Sequence, residues 1–168
     1  MTDRRAEVVT ADAFSWLRQT DRRFDVIIVD MPDPDDSATA KLYSTEFYGL
    51  VRAHLADDGR VVVQAGSPYF APKSFWCIAS TLREAGLAAT PYHVDVPAFG
   101  DWGFHLAGTG GPINPTVNAP GGALRFLSAE QLTAATVFPL DRRPLDLPPS
   151  TLMDPRILRY AQGEWATY

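Results

Sequence analysis

A chain of 168 residues, 46% hydrophobic and 21% charged, has the makeup of a soluble globular domain of ordinary size. Its formal net charge of −5 argues against a nucleic-acid backbone as main partner, since that binding draws on clustered Lys and Arg, and it suits a cationic small molecule. A single cysteine, Cys77, excludes an internal disulfide framework and a cysteine-based zinc site, and no apolar run approaches the ~20 residues that cross a bilayer.

In chain order, AEVVT at 6–10 reads as a short strand, and Asp12 caps a helix running to about Gln19 with Phe14 and Leu17 facing inward. Residues 25–30 form the next strand, an apolar run (Val26 to Val29) broken by Asp30. A proline- and acid-rich loop covers 31–39. A helix follows from about Thr45, with Ser44 as its cap, Phe47, Leu50, Val51 and Leu55 as its apolar face, and Gly59 as its stop. Residues 60–64 (RVVVQ) form a strand buried on both faces. Pro72 opens another helix, with Phe75, Ile78, Ala79 and Leu82 at helical spacing and Gly86 at its end. Strands at 90–97 and 102–107 flank the tight loop AFGD.

The order β-α-β-α-β-α-β-β predicts an α/β fold: a mostly parallel, Rossmann-like sheet with an antiparallel strand near its end. Composition changes at Gly108, so residues 1–108 are expected to form the sheet domain and 109–168 an irregular extension. In that extension Ser128 and Gln131 form a capping box for a helix to about Val137, and a last helix covers about 155–161, read as a packing element. The strand, glycine-rich turn and helix that usually open a nucleotide-binding sheet have no counterpart. The edge of strand 26–29 is therefore expected to be covered by a second copy of the chain or by a further N-terminal segment. On its own the chain is expected to be fragile.

Chemistry is expected at the end of strand 25–30, because ligands of open α/β sheets bind at the carboxyl ends of the strands. Asp30 stands there, and Asp33 follows between Pro32 and Pro34, which stiffen its backbone. The plainer readings are a strand-end acid capping the loop and an Asx turn. His54, His93 and His105 have no metal-ligand spacing; His93 and His105 read as structural residues, Cys77 as a buried inert thiol, and Asp95 as solvent-facing.

The segments FDVIIVDMPDP, LYSTEFY, GRVVVQAGSPYF and PYHVDVPAFGDWGF, within residues 7–107, resemble the C-terminal part of the catalytic domain of the polyamine aminopropyltransferase (spermidine synthase) family. The pattern is an apolar strand, D-x-x-D-P, a leucine-aromatic helix start, a strand ending in Gln, and a later strand pair. RFLS and STLMDPRILRY are similar to the branch whose members often carry membrane helices before the enzyme domain; no such helices are read here. The resemblance implies a methyltransferase-type fold and aminopropyl transfer from decarboxylated S-adenosylmethionine, as co-substrate, to putrescine or a related amine. No bound cofactor is implied. By position Asp30 matches the acid that activates the amine, Asp33 an acid that holds the diamine, Gln64 the glutamine of the amine site, and Asp12 and Ala13 the pair that contacts adenine. Tyr69, Phe99 and Trp102 are candidates for an aromatic wall around the alkylammonium chain, Phe99 standing where many members have tyrosine. The family's G-G-G-D-G-G segment and ribose-binding acid are not found.

The chemistry fits carboxylates. A primary alkylamine, like a lysine side chain with a pKa of about 10.4, arrives protonated at neutral pH. A carboxylate both attracts the cation and accepts its proton, and the neutral thioether leaving group needs no acid. The partners expected are thus a small diamine and a nucleoside, with no nucleic acid and a cytoplasmic location. Two other readings stand beside this one: a non-catalytic remnant or interaction domain, and an S-adenosylmethionine-dependent methyltransferase.

Overall fold

The computed structural model describes residues 3–117 and 124–166. Helix α1 (Ala13–Gln19) starts as expected, with the Asp12 side chain accepting from the Ser15 amide. Strand β1 (Phe24–Val29) follows, then a one-turn helix α2 (Ser37–Ala40), whose Asp36–Thr39 capping box lies at the end of the stretch read as loop. Helix α3 is Thr45–Ala53, with Ser44 as cap, and strand β2 is Leu55–Gln64. Helix α4 (Pro72–Glu84) leads to strands β3 (Ala88–Val96) and β4 (Gly100–Gly108). The C-terminal part holds α5 (Ala129–Ala135), capped by Ser128, and α6 (Arg156–Trp165). Part of the glycine- and proline-rich linker after Gly108 lies outside the described residues.

The sheet order is β1-β2-β4-β3, with β1 and β2 parallel and β4 antiparallel to both its neighbours. The α/β class therefore holds, and the sheet is mixed: parallel pairing is confined to β1 and β2 among the described residues. Two expectations differ from the structure. Residues 6–10 form no strand; Val8 and Val9 are 71% and 50% exposed. A strand persists only where its backbone groups find a ladder partner, and these residues lie alongside none. The second difference is α3, which stops at Ala53 rather than near Gly59. Leu55 is drawn into the core, the Phe24 amide donates to the His54 carbonyl (2.8 Å), and the Arg23 guanidinium donates to the Leu55 carbonyl (2.8 Å). These long-range bonds pull the backbone out of the helix and start β2. Gly59 then lies inside β2, where an added Cβ would sit 2.8 Å from Leu55 Cγ.

One face of the sheet (Val61, Val63, His105, Ala107) joins Phe47 and Val51 of α3 and Phe75, Ile78 and Leu82 of α4 in a single buried core. Each large apolar side chain buried there contributes about 1.5–3 kcal/mol. The C-terminal extension belongs to the same core. Ile157 and Ala161 are buried, Ser150 accepts from the Thr45 amide, and the Trp76 indole donates to the Arg142 carbonyl. β1 is an edge strand, with Val26 and Ile28 exposed on the side away from α3 and α4.

Candidate active site

Beyond β1 the chain turns through Asp30 and Met31 to Asp33, and the phenol of Tyr43 holds that turn. Its buried hydroxyl donates to the carbonyls of Met31 (3.2 Å) and Pro32 (3.0 Å). Burial first, then the charges of Asp33 and Asp30, push the Tyr43 pKa upward, so it stays a donor at any ordinary pH. Tyr43→Phe should cost about 1–3 kcal/mol in urea unfolding, because both carbonyls lose the buried hydroxyl that donates to them. An unchanged midpoint and slope would show that the turn stands without it.

Asp33 is half-buried at a narrow cleft that it lines with Gln64, Phe70, Ile157, Ala161 and Trp165, among others. The cleft encloses about 330 Å³ of empty space, its open mouth included. Burial raises the Asp33 pKa; a hydrogen bond from the Gln64 side chain opposes this, and the charge of Asp35 adds to it. Gln64 ends β2, and its Oε1 is buried without a hydrogen-bond partner. The cleft thus has a polar corner, a carboxylate and an orphaned carbonyl oxygen, with Ser67 and Ser74 also on its border and apolar surface from Phe70, Ile78, Ile157 and Ala161. A buried acceptor without a donor costs free energy that a ligand N–H would recover.

Two glycines shape this corner. Gly66 lines the cleft at φ +69°, in the left-handed region. Gly103 on β4 exchanges hydrogen bonds with the strand end opposite, its amide to Gly66 O (2.7 Å) and its carbonyl to the Ala65 amide (3.0 Å). A Cβ there would fall 2.3 Å from the Phe75 ring, so only glycine allows so close an approach.

The other expected site residues are distributed as follows. Asp30 is exposed directly after β1 and lines none of the clefts described here; it meets Asp33 electrostatically at Tyr43. Asp12 spends both carboxylate oxygens within the protein, on the Ser15 amide (2.9 Å) and Lys41 Nζ (2.7 Å). Lys41 first, then the Ser15 amide, hold its pKa down at about 2. Ala13 borders a separate, broader depression with Trp16, Phe24 and the 4–11 segment. Trp102 packs on Phe70 (6.3 Å between ring centres) and Phe99 packs on Trp102 (5.0 Å), so these two stand behind the aromatic lining. Tyr69 is turned outward beneath the Arg142 guanidinium, 4.7 Å from its ring centre. Phe70 and Trp165, which do line the cleft, were not singled out in the sequence. Phe70 adjoins Tyr69 in PYF, and Trp165 lies beyond the last helix turn that the sequence pattern suggests.

His93 bridges Asp101 (2.5 Å) and the Val137 carbonyl (3.0 Å), while Asp101 also pairs with Arg142 (2.7 Å). This network ties the β3–β4 hairpin to the extension. Burial pushes the Cys77 thiol up to about 11, which leaves it un-ionised at neutral pH. Among the described residues no group of three or more His, Cys, Asp or Glu is arranged to hold a metal ion, and no helix is long and apolar enough to cross a membrane.

An α/β sheet with parallel β1 and β2, and with acids on the loop beyond β1, places the chain in the Rossmann-like class. The chain belongs to the spermine/spermidine synthase family: residues 1–113 match the spermine/spermidine synthase domain. It is 54% identical over 171 residues to polyamine aminopropyltransferase 1 of Streptomyces coelicolor, covering 100% of this chain and 32% of that protein. It is 52% identical over 165 residues to the polyamine aminopropyltransferase of Mycobacterium tuberculosis, covering 96% of this chain and 32% of that one. The chain thus spans about a third of the length of these relatives. Spermidine synthase from Thermotoga maritima superimposes with a TM-score of 0.70 at 26% identity, over 82% of this chain and 48% of that one. A spermidine synthase in complex with the transition-state analogue AdoDATO has the same fold, with a TM-score of 0.72 at 24% identity, over 82% of this chain and 50% of that one.

Proposed function

We propose that this chain carries the amine side of a polyamine aminopropyltransferase, acting in polyamine biosynthesis in the cytoplasm. Residues 1–108 hold the reacting groups, and 109–168 close the amine cleft. The reading rests on one observation above the others: Asp33 and Gln64, apart in sequence, meet in a thin cleft whose corner offers a carboxylate and an unpartnered carbonyl oxygen to a cationic N–H donor. A second acid beside Asp30 suits a cationic amine better than a neutral base, which speaks against the methyltransferase reading.

In this proposal one nitrogen of putrescine or a related diamine is held by Asp33 and Gln64. The other presents its lone pair to the carbon next to the sulfonium of decarboxylated S-adenosylmethionine. The N–C bond forms, the C–S bond breaks, the sulfur leaves as a neutral thioether, and Asp30 takes the proton released by the nitrogen. Ala13 and Asp12 would lie towards the nucleoside. Positioning the amine and removing its proton are both recognised sources of rate.

Asp33→Asn should raise the amine KM or Kd about tenfold or more, the scale of a charge-assisted hydrogen bond, and leave nucleoside affinity in place. If only the nucleoside constant moved, the amine assignment would be wrong. The engagement of both Asp12 oxygens within the protein favours a second reading, a non-catalytic remnant. Titration calorimetry with methylthioadenosine separates the two, since a remnant gives no binding heat.

A further inference from the structure

We propose that helix α6 is the length gauge of the amine cleft, with Ala161 and Trp165 setting how many methylenes the acceptor can carry. This goes beyond the proposed aminopropyl transfer and rests on it. Three residues of α6 (Ile157, Ala161 and Trp165) line the same cleft as Asp33 and Gln64. Ile157 and Ala161 bring aliphatic side chains and Trp165 an indole ring, so the polar corner selects the nitrogen and α6 meets the carbon chain. Ala161 is the small member of this set. It is 2% exposed, so any larger side chain there would occupy cleft volume.

The helix is held as a gauge must be, at fixed height. α4 has no capping side chain of its own, and Glu164 of α6 supplies the cap from far along the chain. Its carboxylate accepts from the Lys73 amide (2.7 Å), the Ser74 amide (3.0 Å) and the Ser74 hydroxyl (2.8 Å). Trp165 meets Phe70 edge-on at 4.8 Å between ring centres. Gln162 Nε2 donates to the Asp35 carbonyl (3.2 Å), tying the helix to the loop that carries Asp33. A wall anchored both to α4 and to the acidic loop cannot slide outward for a longer ligand without breaking these bonds. Chain length is then discriminated at the wall rather than by charge.

The test is a binding series on the 168-residue chain with unbranched α,ω-diamines of three to six carbons. Dissociation constants are read by NMR from the Gln64 side-chain amide and the indole N–H signals. Trp165 is half-exposed, so Trp165→Ala should fold and should move the preferred length up by at least one carbon. The ratio of long-chain to short-chain affinity should change about fourfold per methylene. Ala161→Leu should move the optimum down; if it fails to fold, Trp165→Ala carries the test alone. A folded Trp165→Ala variant that binds the diamines with an unchanged length preference overturns the gauge and leaves the amine site intact. Failure of the unaltered chain to bind any diamine overturns the amine site and the gauge with it.

Discussion

On the proposed function, with Asp30 as base, Asp30→Asn should lower aminopropyl transfer by roughly 10²–10⁴-fold, the usual worth of a general base, with little change in the affinity for nucleoside or in stability. Asparagine matches aspartate in size but cannot accept the proton that the attacking nitrogen must lose. Asp30 is exposed and sits outside the narrow cleft, so its replacement disturbs no packed surface. The Tyr43 bonds to the Met31 and Pro32 carbonyls hold the turn without its help. The loss should therefore fall on kcat, in contrast to Asp33→Asn, whose loss should fall on the amine constant. Steady-state rates at saturating decarboxylated S-adenosylmethionine and putrescine decide it. Turnover within a few fold of the unaltered protein would remove Asp30 from the role of base.

The second large effect concerns pH and stability. His105 is wholly buried on β4, its Nε2 donating to the Phe75 carbonyl (3.0 Å) and its Nδ1 without a partner. Burial lowers its pKa from 6.5 to about 4, and the bond to Phe75 opposes this only in part. Between those two values the unfolded chain binds a proton that the folded chain does not. The contribution is complete above pH 6.5 and is lost as the pH falls towards 4, roughly 3 kcal/mol in total. Urea unfolding at pH 7 and pH 4.5 should show this loss in the unaltered protein. In His105→Gln the difference between the two pH values should shrink by about 2–3 kcal/mol, because glutamine does not titrate. Carboxylates such as Asp12, also stabilised in the folded state, are common to both proteins and cancel in the comparison. An equal pH difference in the two would mean that the imidazole is not the titrating group.

The apolar run before Asp30, the caps at Asp12, Ser44 and Ser128, the proline at the start of α4 and the β3–β4 pair were all legible in the sequence. Asp33 and Gln64 were singled out through the resemblance of the two strand ends to one family, and they line one cleft. What the sequence misjudged were features settled by partners elsewhere in the chain. AEVVT has the composition of a strand, but a strand exists only beside another. The helix from Thr45 looked long because Leu55 continues its apolar face, yet Leu55 is more stably buried at the start of β2. The last helix read as packing because its apolar spacing is equally that of a packed helix. Only its position over the cleft distinguishes Ala161 and Trp165.

The order of residues along the chain specified the α/β class, most helix starts and the acidic strand end, because those depend on side chains within a turn or a strand of one another. Packing between distant parts decided where the strands stop, which aromatics face the cleft and what closes it. Glu164 caps a helix whose first turn lies 90 residues earlier, and no local pattern encodes a contact made only when the whole core has assembled.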